Sequence, residues 1–414
     1  MSNYINRAEQ IFSRINQLAA ISEHEAGITR TFGTDAFLQG SQLVSQWMQK
    51  AGLETRIDNI GNVRGILKSN VPGAKTFVIA SHIDTIVNAG KFDGPLGVLM
   101  GLDLLEHLIA TQANLPFNIE LIAFSDEEGV RYHTTYLGSK VVVGSFDDAL
   151  LSKADKNGIT LNAAIETMGG KSELLITDAI TTQDWLGYYE IHIEQGPVLY
   201  ESHIPVAIVT AIAGQKRPES TFTGMAGHAG TVPMDMRNDA LVAASQFVLE
   251  LEHFAIKNKE DLVATVGKLD VVNSASNVIP GKVICSLDLR SADELKLGLA
   301  YHAINQFCQA IADKRGITLN WNLIQETKPV TCDTGLSASL EKAIAASNIK
   351  LVKLVSGAGH DAVPVSQVAP VSMLFVRCFK GISHNPLEDA ELEDVAAAIE
   401  VSDRFIEELI REKV

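Results

Sequence analysis

An α/β domain with a mixed sheet flanked by helices, interrupted by a smaller α+β insertion, is the fold class the sequence predicts. Three observations carry it. Near-continuous apolar runs of strand length, "TFVIASHID" (76–84) and "FNIELIAFSDEEG" (117–129), bracket a helix-like "LGVLMGLDLLEHLIATQ" (96–112), the pattern of buried strands covered by helices. After "IPVAIVTAIAG" (204–214) the order becomes strand, helix, two strands, helix, strand, the split βαβ order of a small ferredoxin-like domain. The third observation is length: 414 residues exceed what one hydrophobic core usually serves.

In chain order, residues 5–22 and 34–52 have helical periodicity, the second opening at Thr34-Asp35 and closing at Gly52. "TRIDNIGNVRGILK" (55–68) alternates as a strand pair does, and the strand–helix–strand unit follows. The insertion comprises "ESTFTGM", a helix from about Asp239, "LVATVGKLDV", "KVICSLDLRS", a helix from about Ala292 to Lys314, and "ITLNWNLIQE". The large domain resumes near Pro329 with "LVKLVSGAGHDA", "VSMLFVRC" and a closing helix from Leu392. The expected division is 1–213, 214–327 and 328–414, the middle segment inserted into a discontinuous large domain.

Composition narrows the function classes. Hydrophobic residues make up 46% and charged residues 20%, an ordinary globular balance that argues against disorder. A formal charge of -16 disfavours a nucleic-acid partner while leaving room for a local basic pocket. The four cysteines, at 285, 308, 332 and 378, have no CxxC spacing and read as reduced thiols. The N-terminal stretch has helical spacing and early acids, unlike a signal peptide, and no run approaches a membrane span; the expected location is the cytoplasm.

Ligands of open α/β sheets bind beyond the carboxyl ends of strands. His82, Asp84, Asp93, Glu127, Glu128, His192 and His384 all follow apolar strand-like or loop segments. Each alone reads as a satisfied histidine or a solvated acid; seven in one crevice point to a metal, because crowded carboxylates repel unless a cation intervenes. Imidazole with carboxylate suits zinc, manganese or cobalt, and a two-ion site needs a bridging carboxylate with terminal ligands on each side. Asp93 fits as bridge, and His82, Glu128, His192 and His384 as terminal ligands. Asp84 is placed to accept the second ring N–H of His82. Glu127 is left as a base.

The motifs "ASHIDTIVNAGKFDGPLG", "FSDEEGVRY", "YEIHIEQGPVL", "GHAGTVPMDMRNDA", "SASNVIPGKV", "SLDLRS", "SGAGHDA" and "GISHNPLED" resemble, in this order and over nearly the whole chain, the M20 metallo-aminoacylase family, in particular its amidase, hydantoinase and carbamoylase branch. The resemblance implies a large di-metal catalytic domain with a lid and dimerisation domain inserted. It also implies the same five ligands with Asp93 bridging, Glu127 as general base, and Gln195, His228, Asn277, Arg290 and the backbone of Gly357, Gly359 and His360 as substrate contacts. His228, in a Gly-rich stretch, is suited to donate to a developing oxyanion, and the planar fork of Arg290 to hold a carboxylate. Without the neighbouring motifs, the favoured reading of Arg290 is an ordinary surface ion pair with Asp288 or Glu294.

The expected reaction is hydrolysis of a non-peptide C–N bond in a small ureido compound bearing a carboxylate. Allantoate comes first and an N-carbamoyl-L-amino acid second; ureidoglycolate, a dipeptide, and binding without turnover are further alternatives. The expected cofactors are two divalent ions per subunit, zinc or manganese with cobalt possible. The resemblance further implies a cis peptide at Asp93-Gly94, and a homodimer paired through the small domains, with His228 lent to the other subunit's site.

Overall fold

A computed structural model describes residues 2–24 and 27–413. The first helix, Ser2–Ala19, stops short of the expected end because the chain turns where Arg30 donates to the carbonyls of Leu18 (3.0 Å) and Ile21 (3.1 Å). The second, Asp35–Lys50, is capped by the Thr34 hydroxyl accepting the Phe37 N–H. The strands then follow in order: β1 (Glu54–Ile57), β2 (Val63–Leu67), β3 (Thr76–His82), β4 (Asn118–Phe124), β5 (Trp185–Ile193) and β6 (Val206–Ile212). Next come β7 (Gly214–Thr223), β8 (Gly227–His228), β9 (Val263–Thr265), β10 (Leu269–Val271), β11 (Val278–Ile279), β12 (Lys282–Ser286), β13 (Asp288–Ser291) and β14 (Thr318–Thr327). The last are β15 (Val330–Thr331), β16 (Lys353–Ser356) and β17 (Val371–Val376).

The chain divides into two compact units, 1–210 with 332–414, and 211–331. Among the described residues the larger sheet is mixed and nine-stranded, in the order β1-β2-β4-β3-β5-β17-β6-β15, with β16 on β6. Its centre is parallel: β4, β3, β5 and β17 run the same way, so their carboxyl ends open on one edge. The strands are apolar on both faces because helices cover them. Helix Pro95–Ala110 buries Leu96, Val98, Leu99, Met100, Leu102, Leu104, Leu105 and Leu108 in the core that includes Phe77, Ile79, Ile119 and Leu121.

The smaller unit has its own core, in which Phe222, Phe247, Leu289, Ile304 and Cys308 pack between its sheet and the helices Ala240–Lys257 and Glu294–Lys314. "LVATVGKLDV" and "KVICSLDLRS" are each bent into two strands, β9 with β10 and β12 with β13. The bend falls at Pro218 of β7, which has no N–H; the Leu287 N–H donates to its carbonyl at 3.0 Å. β7 lies between β12 and β13 on one side and β14 on the other, giving the order second, third, first, fourth along the unit's four strand segments. Among the described residues no helix is long and apolar enough to cross a membrane.

One buried ion cluster ties the first helix to the larger core. Arg7 donates to Asp103 (2.8 Å) and to Asp403 (2.9 Å), and all three are largely buried. Removing only the cation strands two carboxylates in an apolar setting, so Arg7→Met is expected to cost about 3–5 kcal/mol. Urea denaturation of this variant against the parent checks it; a loss under about 1 kcal/mol would mean the carboxylates reach water or take up protons at little cost.

Candidate metal centre

Three loops leaving adjacent parallel strands build the site. His82 ends β3, the "DEE" run follows β4, and His192 is the penultimate residue of β5. Asp93 comes from the turn before helix Pro95–Ala110, and His384 from the loop after β17. The side chains converge. One Asp93 oxygen lies 3.1 Å from His192 Nε2 and 3.6 Å from His82 Nε2; the other lies 3.2 Å from His384 Nε2. His384 Nε2 is also 3.5 Å from Glu128 Oε1. Donor atoms group as His82, Asp93 and His192; as Asp93, Glu128 and His384; and as His82, Glu127 and Glu128. Asp93 is common to the first two.

Asp84 holds the frame. Its carboxylate accepts the backbone N–H of Glu127 (3.0 Å) and of Glu128 (3.1 Å), fixing the acidic loop. His82 Nδ1 is nearer the Asp84 carbonyl, 3.1 Å, than its carboxylate, 3.4 Å, so the orienting partner of the ring is chiefly main chain. His192 Nδ1 faces the Ile193 carbonyl at 2.9 Å. Both rings thereby turn Nε2 toward Asp93.

The electrostatics fit a cation. Asp93 and Glu127 are buried and Glu128 is half-buried, and among the described residues none of them pairs with a lysine or arginine. Burial, then repulsion from Asp93, pushes Glu128 up to about 7. Burial also drives Glu127 well above the ordinary carboxylate range, with His82 opposing and Glu128 and Asp361 reinforcing. Burial opposes ionisation of Asp93 too, yet hydrogen bonds from His192, His384 and His82 hold it well below that range. Carboxylates and imidazoles so arranged are oxygen and nitrogen donors awaiting positive charge. Divalent-metal binding is compatible with this donor set.

Several expected contacts are placed differently. All peptide bonds among the described residues are trans, so the expected cis bond at Asp93-Gly94 is not found. The chain reverses instead through a positive φ of 81° at Gly94. A Cβ there would lie 2.5 Å from the His82 ring, so glycine also lets that ring approach. Gln195, itself left-handed at φ 57°, donates to Asp93 at 2.8 Å and thus steadies the shared carboxylate. His360 is 1% exposed, its Nε2 2.7 Å from the Ser356 hydroxyl and its ring packed edge-on against His192. Its ring therefore backs a metal-site imidazole and does not reach solvent. Gly357 is exposed and Gly359 half-buried in the loop after β16.

His228, Asn277 and Arg290 belong to the smaller unit. β8 and β11 form a two-stranded ribbon that puts His228 opposite Val278, beside Asn277, both exposed. The Gly230 N–H donates to His228 Nδ1 at 3.1 Å, so the neutral ring carries its proton on Nε2. Arg290 grips Asp288 through Nε (2.7 Å) and Nη2 (2.9 Å), and Arg217 Nε reaches the same carboxylate at 2.8 Å. Two guanidinium groups thus share one acid.

Asp126, Glu190 and Asp361, which the sequence did not single out, are buried acids near the site, each with one oxygen lacking a hydrogen-bond partner. Ser383 and Glu388, likewise not singled out, contact Asp93 or its backbone. All five lie within the family-like motifs, but an acid or a serine there reads as solvated until its partners are known.

Imidazoles and carboxylates gathered around one shared aspartate at the carboxyl ends of parallel strands form the donor set of a metal-dependent hydrolase. The chain belongs to the peptidase family M20/M25/M40, whose model matches residues 78–408. It is 36% identical to allantoate deiminase 2 of Glycine max, over 97% of this chain and 89% of that protein. It is 34% identical to N-carbamoyl-L-amino-acid amidohydrolase of a Pseudomonas species, covering 95% of this chain and 96% of that one. A crystal structure of an amidase of the hydantoinase/carbamoylase family from Burkholderia multivorans superposes with a TM-score of 0.89 at 32% identity, over 96% and 97% of the two chains.

Proposed function

We propose that the chain hydrolyses a non-peptide C–N bond of a small ureido compound bearing a carboxylate, allantoate first, with an N-carbamoyl-L-amino acid as the alternative. One observation carries the reading: Asp93 presents one oxygen to His192 and the other to His384, with Glu127 and Glu128 alongside. The names of the soybean and Pseudomonas relatives supply the substrate class. His82, Asp93 and His192 would hold one divalent ion and Asp93, Glu128 and His384 a second, zinc or manganese, with cobalt equally accepted by these donors. Bound there, such ions supply Lewis acidity toward the ureido carbonyl and acidify water.

The chain's own groups account for the rest. Glu127, held by Asp84 through its backbone N–H, takes a proton from the attacking water and returns it to the departing nitrogen. Water adds to the carbonyl carbon, the C–N bond breaks, and carbamic acid decomposes to ammonia and carbon dioxide. His228, with its proton on Nε2, donates to the developing oxyanion. Arg290, braced by Asp288, receives the substrate carboxylate, while Gln195 steadies Asp93. Asn277 and the Gly357–Gly359 loop supply further hydrogen bonds.

In this reading the working form is a homodimer joined through the smaller units. β14 pairs with β7 alone among the described residues, leaving an edge that bears the exposed Ile324, and the exposed Leu295 and Leu299 lie on helix Glu294–Lys314. Met225, Met234 and Met236 are exposed in the same segment as His228, which is then lent to the partner's site. Four free, buried cysteines suit a reducing compartment, the cytoplasm.

The test is metal-stripped protein reloaded with zinc, manganese or cobalt and offered allantoate, N-carbamoyl-L-amino acids, ureidoglycolate and dipeptides. Metal-dependent ammonia release from allantoate is expected. Amine release from N-carbamoyl amino acids with none from allantoate would select the alternative, and cleavage of dipeptides alone would end the ureido reading.

A further inference from the structure

We infer that Glu388 is a positioning residue that sets the hold on the ion assigned to Asp93, Glu128 and His384. The inference rests on the two-ion reading above. After His384 the chain makes a short turn in which the Asn385 side chain accepts the Leu387 N–H (2.9 Å) and its carbonyl accepts the Glu388 N–H (3.0 Å). That turn exposes Leu387 and sends Glu388 inward, where it is 3% exposed. One carboxylate oxygen accepts two backbone N–H groups, those of Phe92 (2.7 Å) and of Asp93 itself (3.0 Å). The other lies 3.0 Å from the Ser383 hydroxyl, and that hydroxyl is also 3.0 Å from Asp93 Oδ2.

Glu388 therefore clamps together two segments almost 300 residues apart, the turn that carries Asp93 and the loop that carries His384. These are the two residues whose facing atoms, 3.2 Å apart, would share the ion. The clamp is closely fitted. A Cβ on Gly90 would fall 2.3 Å from the Glu388 Cβ, so glycine there lets the glutamate side chain lie directly against the turn. His384 has a positive φ of 54°, a conformation that in a residue other than glycine needs support from its surroundings. A carboxylate bonded to the backbone on one side and to Ser383 on the other supplies that support.

Groups that orient metal ligands typically contribute 10- to 100-fold in affinity. The experiment is calorimetric titration of metal-free protein with manganese chloride, in the parent and in Glu388→Ala, Glu388→Gln and Ser383→Ala. The parent is expected to take two ions. Glu388→Ala is expected to weaken one of them about 10- to 100-fold, the same ion that His384→Ala loses, and to leave the other within about twofold. Glu388→Gln keeps an oxygen for both N–H groups and is expected to stay within about threefold of the parent.

Ser383→Ala, which leaves both backbone bonds in place, is expected to weaken that same ion by a smaller factor and decides the matter if Glu388→Ala does not fold. Unchanged affinities in Glu388→Ala and Ser383→Ala, or equal weakening of both ions, would overturn the inference and leave Glu388 with a purely structural role. Equal losses in Glu388→Gln and Glu388→Ala would overturn it in favour of a simple charge effect. Fewer than two ions in the parent would overturn the two-ion reading itself, and this inference with it.

Discussion

Replacing Glu127 with glutamine is expected to lower turnover by about 10³-fold while metal content stays at the parent level, since an amide keeps the shape but cannot take a proton from water. The geometry favours so selective an effect. Asp84 holds the Glu127 backbone, and no arginine or lysine depends on its carboxylate among the described residues. Glu128→Gln is expected to behave differently: its oxygen lies 3.5 Å from His384 in the group that shares Asp93, so metal content falls together with rate. Steady-state rates beside metal analysis of the purified variants separate the two. The reverse pattern would exchange the roles of Glu127 and Glu128.

The second large effect is gained by mixing. His228→Ala and Glu127→Gln are each expected to be nearly inactive alone, whereas co-refolding them should restore about a quarter of parental activity. Random pairing makes about half the dimers mixed, and in a closed two-fold assembly one of the two sites in each mixed dimer keeps both groups. The expectation is what the family resemblance implies; the exposed His228, whose Nδ1 accepts the Gly230 N–H, leaves Nε2 free to donate. If the mixture stays as inactive as its parents, His228 serves its own chain or no site at all.

Of the candidate ligands, His82, Glu128 and His192 were legible because they end or follow strand-like apolar runs: a histidine or acid at the end of "TFVIA" or "ELIAF" has no reason to be there in a strand that merely packs. Sheet order then gathers them, since parallel neighbours open on the same edge. What failed to show were properties of the surroundings. The resemblance speaks for the backbone of "SGAGHDA" and says nothing of the His360 imidazole, whose place behind His192 and beside Ser356 only the tertiary arrangement decides. The resemblance offers Gln195 as a substrate contact, while its hydrogen-bond partner, Asp93, lies 102 residues away and could not be read from the sequence. Glu388 looks like one more surface acid in "NPLED" until the Asn385 turn directs it inward. The bend between β12 and β13 escaped because the alternation of Val283, Cys285, Leu287 and Leu289 runs through it unbroken, whereas that between β9 and β10 was marked by Gly267-Lys268, where the alternation shifts by one residue.

The distance in sequence between the earliest and latest ligands has a consequence for biosynthesis. His82 emerges from the ribosome 302 residues ahead of His384, an interval of roughly 15–60 s at about 5–20 residues per second. Throughout it, Asp93, Glu127 and Glu128 are already made while the imidazole that faces both Asp93 and Glu128 is not. A nascent chain thus carries these acids for that interval with only part of the candidate donor set made. On the two-ion reading, the ion assigned to Asp93, Glu128 and His384 finds its full donor set only near the end of translation.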